Sequence, residues 1–125
     1  MFLATAKQRA NISDVAKFFD ISVNHVAKVV NLLARNAYIR SIRGIGGGIE
    51  LAKLPEEISL GEVITLMEKD THLLACVGDD DTCAIHSFCK LKGVLAEAER
   101  LQMNYLKSVT LADVVPTKRQ LRQVN

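Results

Sequence analysis

The sequence predicts a mainly α-helical chain with one small β-hairpin, and three observations indicate this fold class. Apolar residues recur at helical spacing near the N-terminus and again along the last third of the 125 residues. Between these regions, two short strand-like segments flank a glycine-rich turn. The length suits one compact domain with an appended element. With no secretory signal and no apolar run near the roughly 20 residues that span a bilayer, we expect a soluble, cytoplasmic protein.

The first predicted feature is a helix-turn-helix motif. A short helix begins after a cap at Ser13 and has apolar residues at core spacing. These core positions are Val15, Ala16 and Phe19. Residues 20–22 supply the turn, and Ser22 can cap a second helix. The buried face of that second helix comprises Val26, Val29, Val30 and Leu33.

The opposite face of the second helix is polar and basic. It carries Asn24, His25 and Lys28 near the helix N-terminus, where a recognition helix meets base edges and phosphates. An ordinary polar surface is the competing interpretation for Asn24 and His25. However, residues 21–49 contain four Lys or Arg and no Asp or Glu, whereas a solvated surface normally mixes both signs. This region is therefore predicted to approach phosphate groups.

A β-hairpin follows the second helix. Residues 38–42 alternate like a strand, a turn with four glycines follows, and residues 49–51 return as a second strand. The turn lacks the Gly-Lys-Ser/Thr ending of a nucleotide-binding loop, and Arg43 at its start fits a wing laid along DNA. Glycines allow the backbone of such a wing to lie against a ligand. Those predicted to do so are Gly46, Gly47 and Gly48.

Charge is distributed unevenly along the chain. Residues 1–53 contain eight Lys or Arg and three Asp or Glu, for a net charge of +5. Residues 54–115 contain five and eleven, for a net charge of −6, and the C-terminal tail restores the total to +2. This asymmetry suggests that the first half meets a polyanion.

All three cysteines of the chain lie within fourteen residues, at Cys76, Cys83 and Cys89. Thiolates select zinc, copper(I) or iron-sulfur centres, so this spacing predicts a soft-metal site. A disulfide framework would leave one thiol over. Unrelated loop cysteines are the remaining interpretation.

Three further helices are predicted in the second half. Ser59 and Glu62 form a capping-box sequence before a short helix. A long helix runs from about residue 90 to 109, with an apolar face that suits a dimer partner or burial within the same monomer. This face comprises Leu91, Val94, Leu95, Ala98, Leu101, Met103 and Tyr105. Thr110 caps a last short helix.

The chain resembles the winged-helix iron-sulfur transcription regulators of the NsrR and IscR type. The resemblance rests on residues 21–30, on the Arg-Gly-x-Gly-Gly-Gly wing within residues 42–48, and on residues 55–63. It extends from about residue 1 to residue 115, and the cysteine segment lies in the expected place. It implies a homodimer that binds a palindromic operator in double-stranded DNA and carries a 4Fe-4S or 2Fe-2S cluster. The family's DNA-contacting positions fall on Asn24, His25, Lys28 and Arg43, and its ligand positions on Cys76, Cys83 and Cys89.

Two departures from the family's pattern concern the fourth cluster ligand. The chain opens in what resembles the second half of the family's first helix, and in NsrR-type members the missing turns carry an acidic ligand. IscR-type members have a histidine shortly after the third cysteine, where this chain has residues 90–93, so the resemblance is greater to NsrR. The fourth ligand is left open among His72, His86, an aspartate within residues 79–81, water and a small thiol.

These observations predict a repressor rather than an enzyme. Residues 1–68 would bind DNA, residues 69–89 would hold the cluster, residues 90–115 would dimerise, and residues 116–125 would form a disordered basic tail. Nitric oxide is the effector that the resemblance implies. The alternatives are an IscR-type regulator of iron-sulfur biogenesis or redox state, and a zinc or thiol sensor on the same DNA-binding module. A redox enzyme or cluster carrier is disfavoured because the chain has no Cys-x-x-Cys pair and no flavin or nucleotide motif.

Overall fold

The computed structural model describes residues 1–6, 9–78 and 83–123, and within these ranges it is mainly α-helical with one two-stranded sheet. The elements are α1 (Phe2–Ala6), α2 (Ile12–Phe19), α3 (Val23–Arg35), β1 (Ile39–Ile42), β2 (Gly48–Leu51), α4 (Leu60–Met67), α5 (Lys90–Ser108), α6 (Leu111–Val114) and α7 (Lys118–Arg122). Short 3₁₀ turns occupy Pro55–Glu57, Ala75–Val77 and His86–Phe88. Among the helices of the described ranges, none is long and apolar enough to cross a membrane.

The chain divides into two compact units. The DNA-facing candidate residues lie in the first unit, which is assembled from Met1–Ile58 and Thr110–Asn125. The cysteines lie in the second unit, Ser59–Val109. The first unit is therefore built from two separate stretches of chain, whereas the second is continuous.

The core of the first unit forms where α2, α3 and the hairpin meet. Its buried residues are Ala16, Val26, Val30, Ile39 and Ile49, with Leu3, Ile12, Val15, Leu33 and Leu51 packed around them. The helical spacing of Val26 and Val30 places both on one side of α3, which confirms the predicted buried face there. Phe19 was predicted at a core position but is 49% exposed. It packs edge-on against Phe2 and Phe18, with ring centroids 6.4 and 4.9 Å away.

The caps of the helices explain where they begin. Ser22 accepts a hydrogen bond from the backbone N–H of His25 at 3.1 Å, as predicted for the start of α3. The predicted cap at Ser13 is wrong, because α2 begins two residues earlier than predicted, with Asn11 as its cap residue. The carboxylate of Asp14 accepts the N–H of Asn11 at 3.3 Å and completes that end.

The predicted hairpin is present as an antiparallel pair. Ile39 is opposite Leu51 and Ile42 is opposite Gly48, so the turn comprises the five residues between them. Ala10 joins β2 through two backbone hydrogen bonds with Ile49, of 3.0 and 2.8 Å. A β-carbon on Gly48 would lie 2.8 Å from the carbonyl oxygen of Ala10, and its φ is +141°. Glycine is therefore required at Gly48 by the packing of the first unit itself.

The second unit pairs α4 with α5. As predicted, α4 begins at the Ser59 cap, whose hydroxyl accepts the N–H of Glu62 at 3.4 Å. The same hydroxyl donates to the carbonyl of Lys107 at 3.0 Å. Gly61 is buried, and a β-carbon there would lie 2.6 Å from the backbone nitrogen of Lys107. The absence of a side chain at Gly61 therefore allows the two helices to approach closely.

The end of the described chain differs from the predicted disordered tail. Residues Lys118–Arg122 form α7. Thr117 and Gln120 cap each other's backbone, because the Gln120 side chain accepts the N–H of Thr117 at 2.8 Å and the Thr117 hydroxyl accepts the N–H of Gln120 at 3.3 Å. This reciprocal cap favours a helical turn despite the basic composition. The predicted cap of α6 at Thr110 is present, with Asp113 accepting its N–H at 2.8 Å.

Candidate nucleic-acid interface and cysteine segment

The first turns of α3 carry the polar face that the sequence singled out. Asn24, His25 and Lys28 are all exposed, while Val26 and Val30 on the other side are buried. The backbone N–H of His25 is satisfied by Ser22, so the side chain extends from a fixed helix start. The structure thus gathers these three side chains on one solvent-facing surface of the first unit.

The turn of the hairpin presents a second exposed surface. Arg43 is exposed at its start, and Ile45 projects entirely into solvent. The backbone N–H of Gly47 donates to the carbonyl of Gly44 at 3.0 Å and closes the turn. Gly46 has a φ of +74° and open space around its α-carbon. The glycines are thus partly explained by the shape of the turn, and Gly46 also leaves its outer surface bare.

A carboxylate on the hairpin holds two arginines that the sequence did not indicate as site residues. Glu50 on β2 accepts from Nε of Arg40 at 2.5 Å and from Nε of Arg9 at 3.0 Å. The nearby guanidinium groups, that of Arg40 first, lower the pKa of the Glu50 carboxyl. Nη1 of Arg9 also donates to the carbonyl of Gly46 at 3.0 Å. The pairing of Arg40 with Glu50 follows from the hairpin register, but no local signal predicted the long-range contact of Arg9.

The three cysteines occupy different local structures of the second unit. Cys76 is half-buried in the 3₁₀ turn Ala75–Val77, Cys83 is exposed, and Cys89 is half-buried as the cap residue of α5. All three are free thiols. Across residues 1–6, 9–78 and 83–123, the structure gathers no group of three Cys, His, Asp or Glu side chains that could hold a metal ion. The predicted ligands are therefore in one segment but do not converge.

The donor chemistry of the segment nevertheless fits an iron-sulfur cluster. Three uncrosslinked, accessible thiols are the ligand type that such clusters take. Because the sulfurs do not converge in the structure, binding requires Cys76, Cys83 and Cys89 to approach one another. The predicted aspartate ligands within residues 79–81 lie outside the described residues.

The two histidines that the sequence suggested as ligands already contact other side chains. Nδ1 of His72 lies 2.9 Å from the Glu99 carboxylate, and Nε2 of His86 contacts Nζ of Lys92. Glu99 also accepts the backbone N–H of Leu73 at 2.6 Å. These contacts, that of His72 first, lower the pKa of Glu99. Glu99, which the sequence did not single out, therefore ties the start of the cysteine segment to α5.

The broad apolar face predicted for α5 has a half-buried side and an exposed side in the structure. Leu95, Met103 and Leu106 are half-buried, and the Met103 sulfur accepts a hydrogen bond from Thr65 of α4 at 3.6 Å. The remaining residues of the predicted face are exposed, and they recur at alternating intervals of three and four residues. They are Leu91, Val94, Ala98, Leu101 and Tyr105. We call this second set the α5 seam, since its spacing is that of the contact positions of a coiled coil.

Comparison with known proteins identifies the family. The model of the Rrf2 family, described as an iron-dependent transcriptional regulator, matches residues 1–117. The chain belongs to the Rrf2 family. The HTH-type transcriptional regulator NsrR of Bacillus licheniformis is 38% identical over 127 aligned positions, covering 99% of this chain and 89% of that protein. NsrR of Bacillus subtilis strain 168 is 36% identical, covering 99% and 87%.

Solved structures of Rrf2-type regulators share the fold. Staphylococcus aureus CymR superposes with a TM-score of 0.71 at 26% identity, covering 92% of this chain and 89% of that one. T. potens IscR gives a TM-score of 0.68 at 22% identity, covering 98% and 77%. The predicted winged-helix fold is thereby confirmed, as is the prediction of a transcriptional regulator rather than an enzyme.

Proposed function

We propose that this protein is a DNA-binding transcriptional repressor whose operator binding is controlled by an iron-sulfur cluster that senses nitric oxide. The observation that carries the proposal is one sequence that combines an exposed basic recognition surface with three accessible thiols in a separate unit. The similarity to NsrR proteins over nearly the whole chain favours this regulator over an IscR-type one. Such a regulator would act in the cytoplasm, beside the DNA that it binds.

The DNA-contacting surface is assigned to α3 and the hairpin turn. Asn24 and His25 would read base edges in the major groove, and Lys28 would contact phosphate, because all three project from the first turns of α3. Arg43 and the backbone of Gly46, Gly47 and Gly48 would lie along the DNA backbone. Phosphate contacts add affinity for every sequence, whereas the contacts of α3 add specificity.

The α5 seam is proposed as the homodimer interface. Five exposed side chains follow one side of the helix over two heptads, and α5 is 19 residues long, or about 28 Å. A second copy of α5 would bury this seam and place two recognition helices on a palindromic operator. Leu101 lies near the middle of the seam and is 55% exposed.

The dimer is tested by placing a charge in the seam. We expect Leu101→Lys to yield a monomer in sedimentation at concentrations where the wild type is dimeric, because each copy would bury a lysine in an apolar interface. Ala96→Lys is the matched control, since Ala96 is exposed on α5 outside the seam. A dimer that tolerates Leu101→Lys would refute the seam as the interface.

Cys76, Cys83 and Cys89 are proposed to hold the cluster, with the fourth ligand unassigned. When bound, the cluster would supply an iron site at which nitric oxide can react. The chain's own contribution is the position of Cys89, which is both a proposed ligand and the cap of α5. A change in the backbone at Cys89 therefore acts directly on the first turn of the helix that carries the seam, and thereby on the spacing of the recognition helices.

One experiment tests the sensory role. Protein purified under nitrogen is expected to be coloured, to contain iron and sulfide, and to bind operator DNA, and nitric oxide is expected to abolish both the visible absorption and the binding. Visible spectra, elemental analysis and gel-shift titration measure these outcomes. A colourless zinc protein whose DNA affinity does not respond to nitric oxide would contradict the proposal.

A thiol redox sensor is the second candidate, and one structural observation favours it. Cys83 is an exposed free thiol, so an oxidant can reach it directly. Staphylococcus aureus CymR, which has the same fold, has been solved in an oxidized form. The test uses iron-free protein. If this protein binds DNA, if mild peroxide treatment abolishes the binding, and if dithiothreitol restores it, the thiol sensor replaces the first candidate.

A further inference from the structure

Three groups of the first unit meet beside the hairpin turn, and each comes from a different part of the chain. Arg9 precedes α2, Arg40 lies on β1, and Glu50 lies opposite Arg40 on β2. The two oxygens of Glu50 are divided between them, with Oε1 accepting from Arg40 and Oε2 from Arg9. A single carboxylate therefore sets the positions of two guanidinium groups.

The hydrogen bonds leave part of each guanidinium group available. Both arginines donate to Glu50 through Nε, and Arg9 uses Nη1 for the carbonyl of Gly46. Nη2 of Arg9 and both terminal nitrogens of Arg40 are not used in these bonds. The side chains are 45% and 64% exposed, whereas that of Glu50 is 21% exposed. The donors thus face solvent and the carboxylate lies beneath them.

The local charge favours an anionic ligand. The two arginines and one carboxylate sum to one positive charge, and residues 21–49 contribute Lys28, Arg35 and Arg43 without any acidic residue. Arginine donors that are held in a fixed orientation suit phosphate oxygens, because the guanidinium group presents several parallel N–H groups. Arg9 also contacts Gly46, so this pair lies directly beside the turn.

We propose that Arg9 and Arg40 form a phosphate-binding pair for the DNA backbone, and that Glu50 is its positioning residue. The inference rests on the proposed DNA-binding function and adds a site outside the recognition helix and Arg43. The pair contacts phosphate whatever the base sequence, so it contributes to affinity and to salt dependence rather than to the choice of operator.

The substitution Glu50→Gln separates this role from simple electrostatics. Removing a bystander carboxylate from a DNA-facing surface strengthens binding, because one repulsive charge is lost. Removing a positioning carboxylate weakens binding, because both arginines lose their fixed orientation. We expect Glu50→Gln to weaken binding to a random-sequence DNA duplex by roughly three- to tenfold and to reduce the salt dependence.

The companion variants define the contribution of each arginine. Arg9→Gln and Arg40→Gln should each lower the slope of log affinity against log salt concentration by about 0.9 per protomer, the value of one phosphate contact. Glu56→Gln is the control for electrostatics, because Glu56 is an exposed carboxylate of the same unit. It should leave affinity unchanged or slightly increased. Thermal unfolding of each variant checks that it is folded. If Glu50→Gln is destabilised, the salt dependence of Arg40→Gln tests the phosphate-binding pair instead.

These variants distinguish a failure of the phosphate-binding pair from a failure of the proposed DNA-binding function. Weaker binding with a reduced slope for Glu50→Gln, Arg9→Gln and Arg40→Gln supports the pair. Binding by Glu50→Gln as tight as that of Glu56→Gln, or an unchanged slope for Arg40→Gln, overturns it. If the wild type does not bind the duplex, the proposed function fails as well. If Arg43→Ala weakens binding while the Arg40 and Glu50 variants behave like the control, the inference alone fails.

Discussion

The hairpin and the cysteine segment are organised in opposite ways. The hairpin is fixed by a strand ladder, by two backbone hydrogen bonds between Ala10 and Ile49, and by Glu50 with its two arginines. The cysteine segment has short 3₁₀ turns and is tied to α5 at its start by Glu99 and at its end by Cys89. The proposed DNA surface is therefore held in place by contacts of the chain itself, whereas the three thiols do not converge in the structure.

The largest expected effect is on the cysteine segment. We expect Cys83→Ser to lose almost all of its iron and visible absorption, because the exposed thiol is one of only three cysteine ligands available. Iron and sulfide assays on protein purified under nitrogen measure the loss. Ser87→Ala, an exposed neighbour in the same segment, should keep the full iron content. Iron retained by Cys83→Ser would remove Cys83 from the ligand set.

In the hairpin, substitution of Arg43 is expected to have the next largest effect, on DNA affinity. Arg43→Ala should weaken binding to all DNA sequences and reduce the salt slope by about one per protomer, because it would remove the proposed phosphate contact. His25→Ala should instead change the preference among sites, since its side chain is exposed on the face of α3 that is proposed to read bases. Titrations of two unrelated duplexes at several salt concentrations compare these variants. An Arg43→Ala protein with unaltered affinity would show that the turn does not touch DNA.

The stability of the hairpin can be probed with a pair of glycine substitutions. Gly48→Ala should lower the free energy of unfolding by about 1–3 kcal/mol, because a side chain strains a left-handed φ and meets the Ala10 carbonyl. Gly93→Ala should raise it by up to about 1 kcal/mol, since Gly93 lies in α5 and a β-carbon there meets no atom within 4 Å. Urea unfolding of both variants measures the difference. Equal effects would contradict the tight packing at Gly48.

The smallest expected effect concerns the tie between Glu99 and the cysteine segment. Because contacts with His72 and Leu73 lower the pKa of Glu99 in the folded state, its contribution to stability is present above the ordinary value of 4.5 and is lost as the pH falls below it. Glu99→Gln should therefore be less stable than the wild type near neutral pH, with the difference vanishing in acid. Unfolding measured from neutral to acid pH tests this, with Glu68→Gln, an exposed carboxylate of the same unit, as the control.

Features governed by neighbouring residues could be predicted from the sequence. Helix α3 with its Ser22 cap, the hairpin and the starts of α4 and α6 all follow local spacing and capping signals. The same kind of signal is present at Thr117 and Gln120, where a capping box starts α7. These elements needed no knowledge of distant contacts.

Features governed by distant residues could not be predicted in the same way. Arg9 reaches Glu50 and Gly46 only because Ala10 joins the hairpin. The sequence showed that the apolar face of α5 is broad, but only its packing beside α4 divides that face into a half-buried side and an exposed seam. Phe19 was placed in the core by its spacing, yet its partners are the two other aromatic rings at the edge.

The discontinuity of the first unit makes it suitable for dissection. Within that unit, the backbone N–H of Leu111 donates to the carbonyl of Ile58 at 2.8 Å, so the two places where its chain is interrupted lie side by side. A short artificial turn from Ile58 to Thr110 could therefore replace residues 59–109, because the two ends that it joins are already close together. Inserted domains are tolerated at such places for the same reason. The product would keep the proposed DNA-contacting residues and would lack every cysteine of the natural chain.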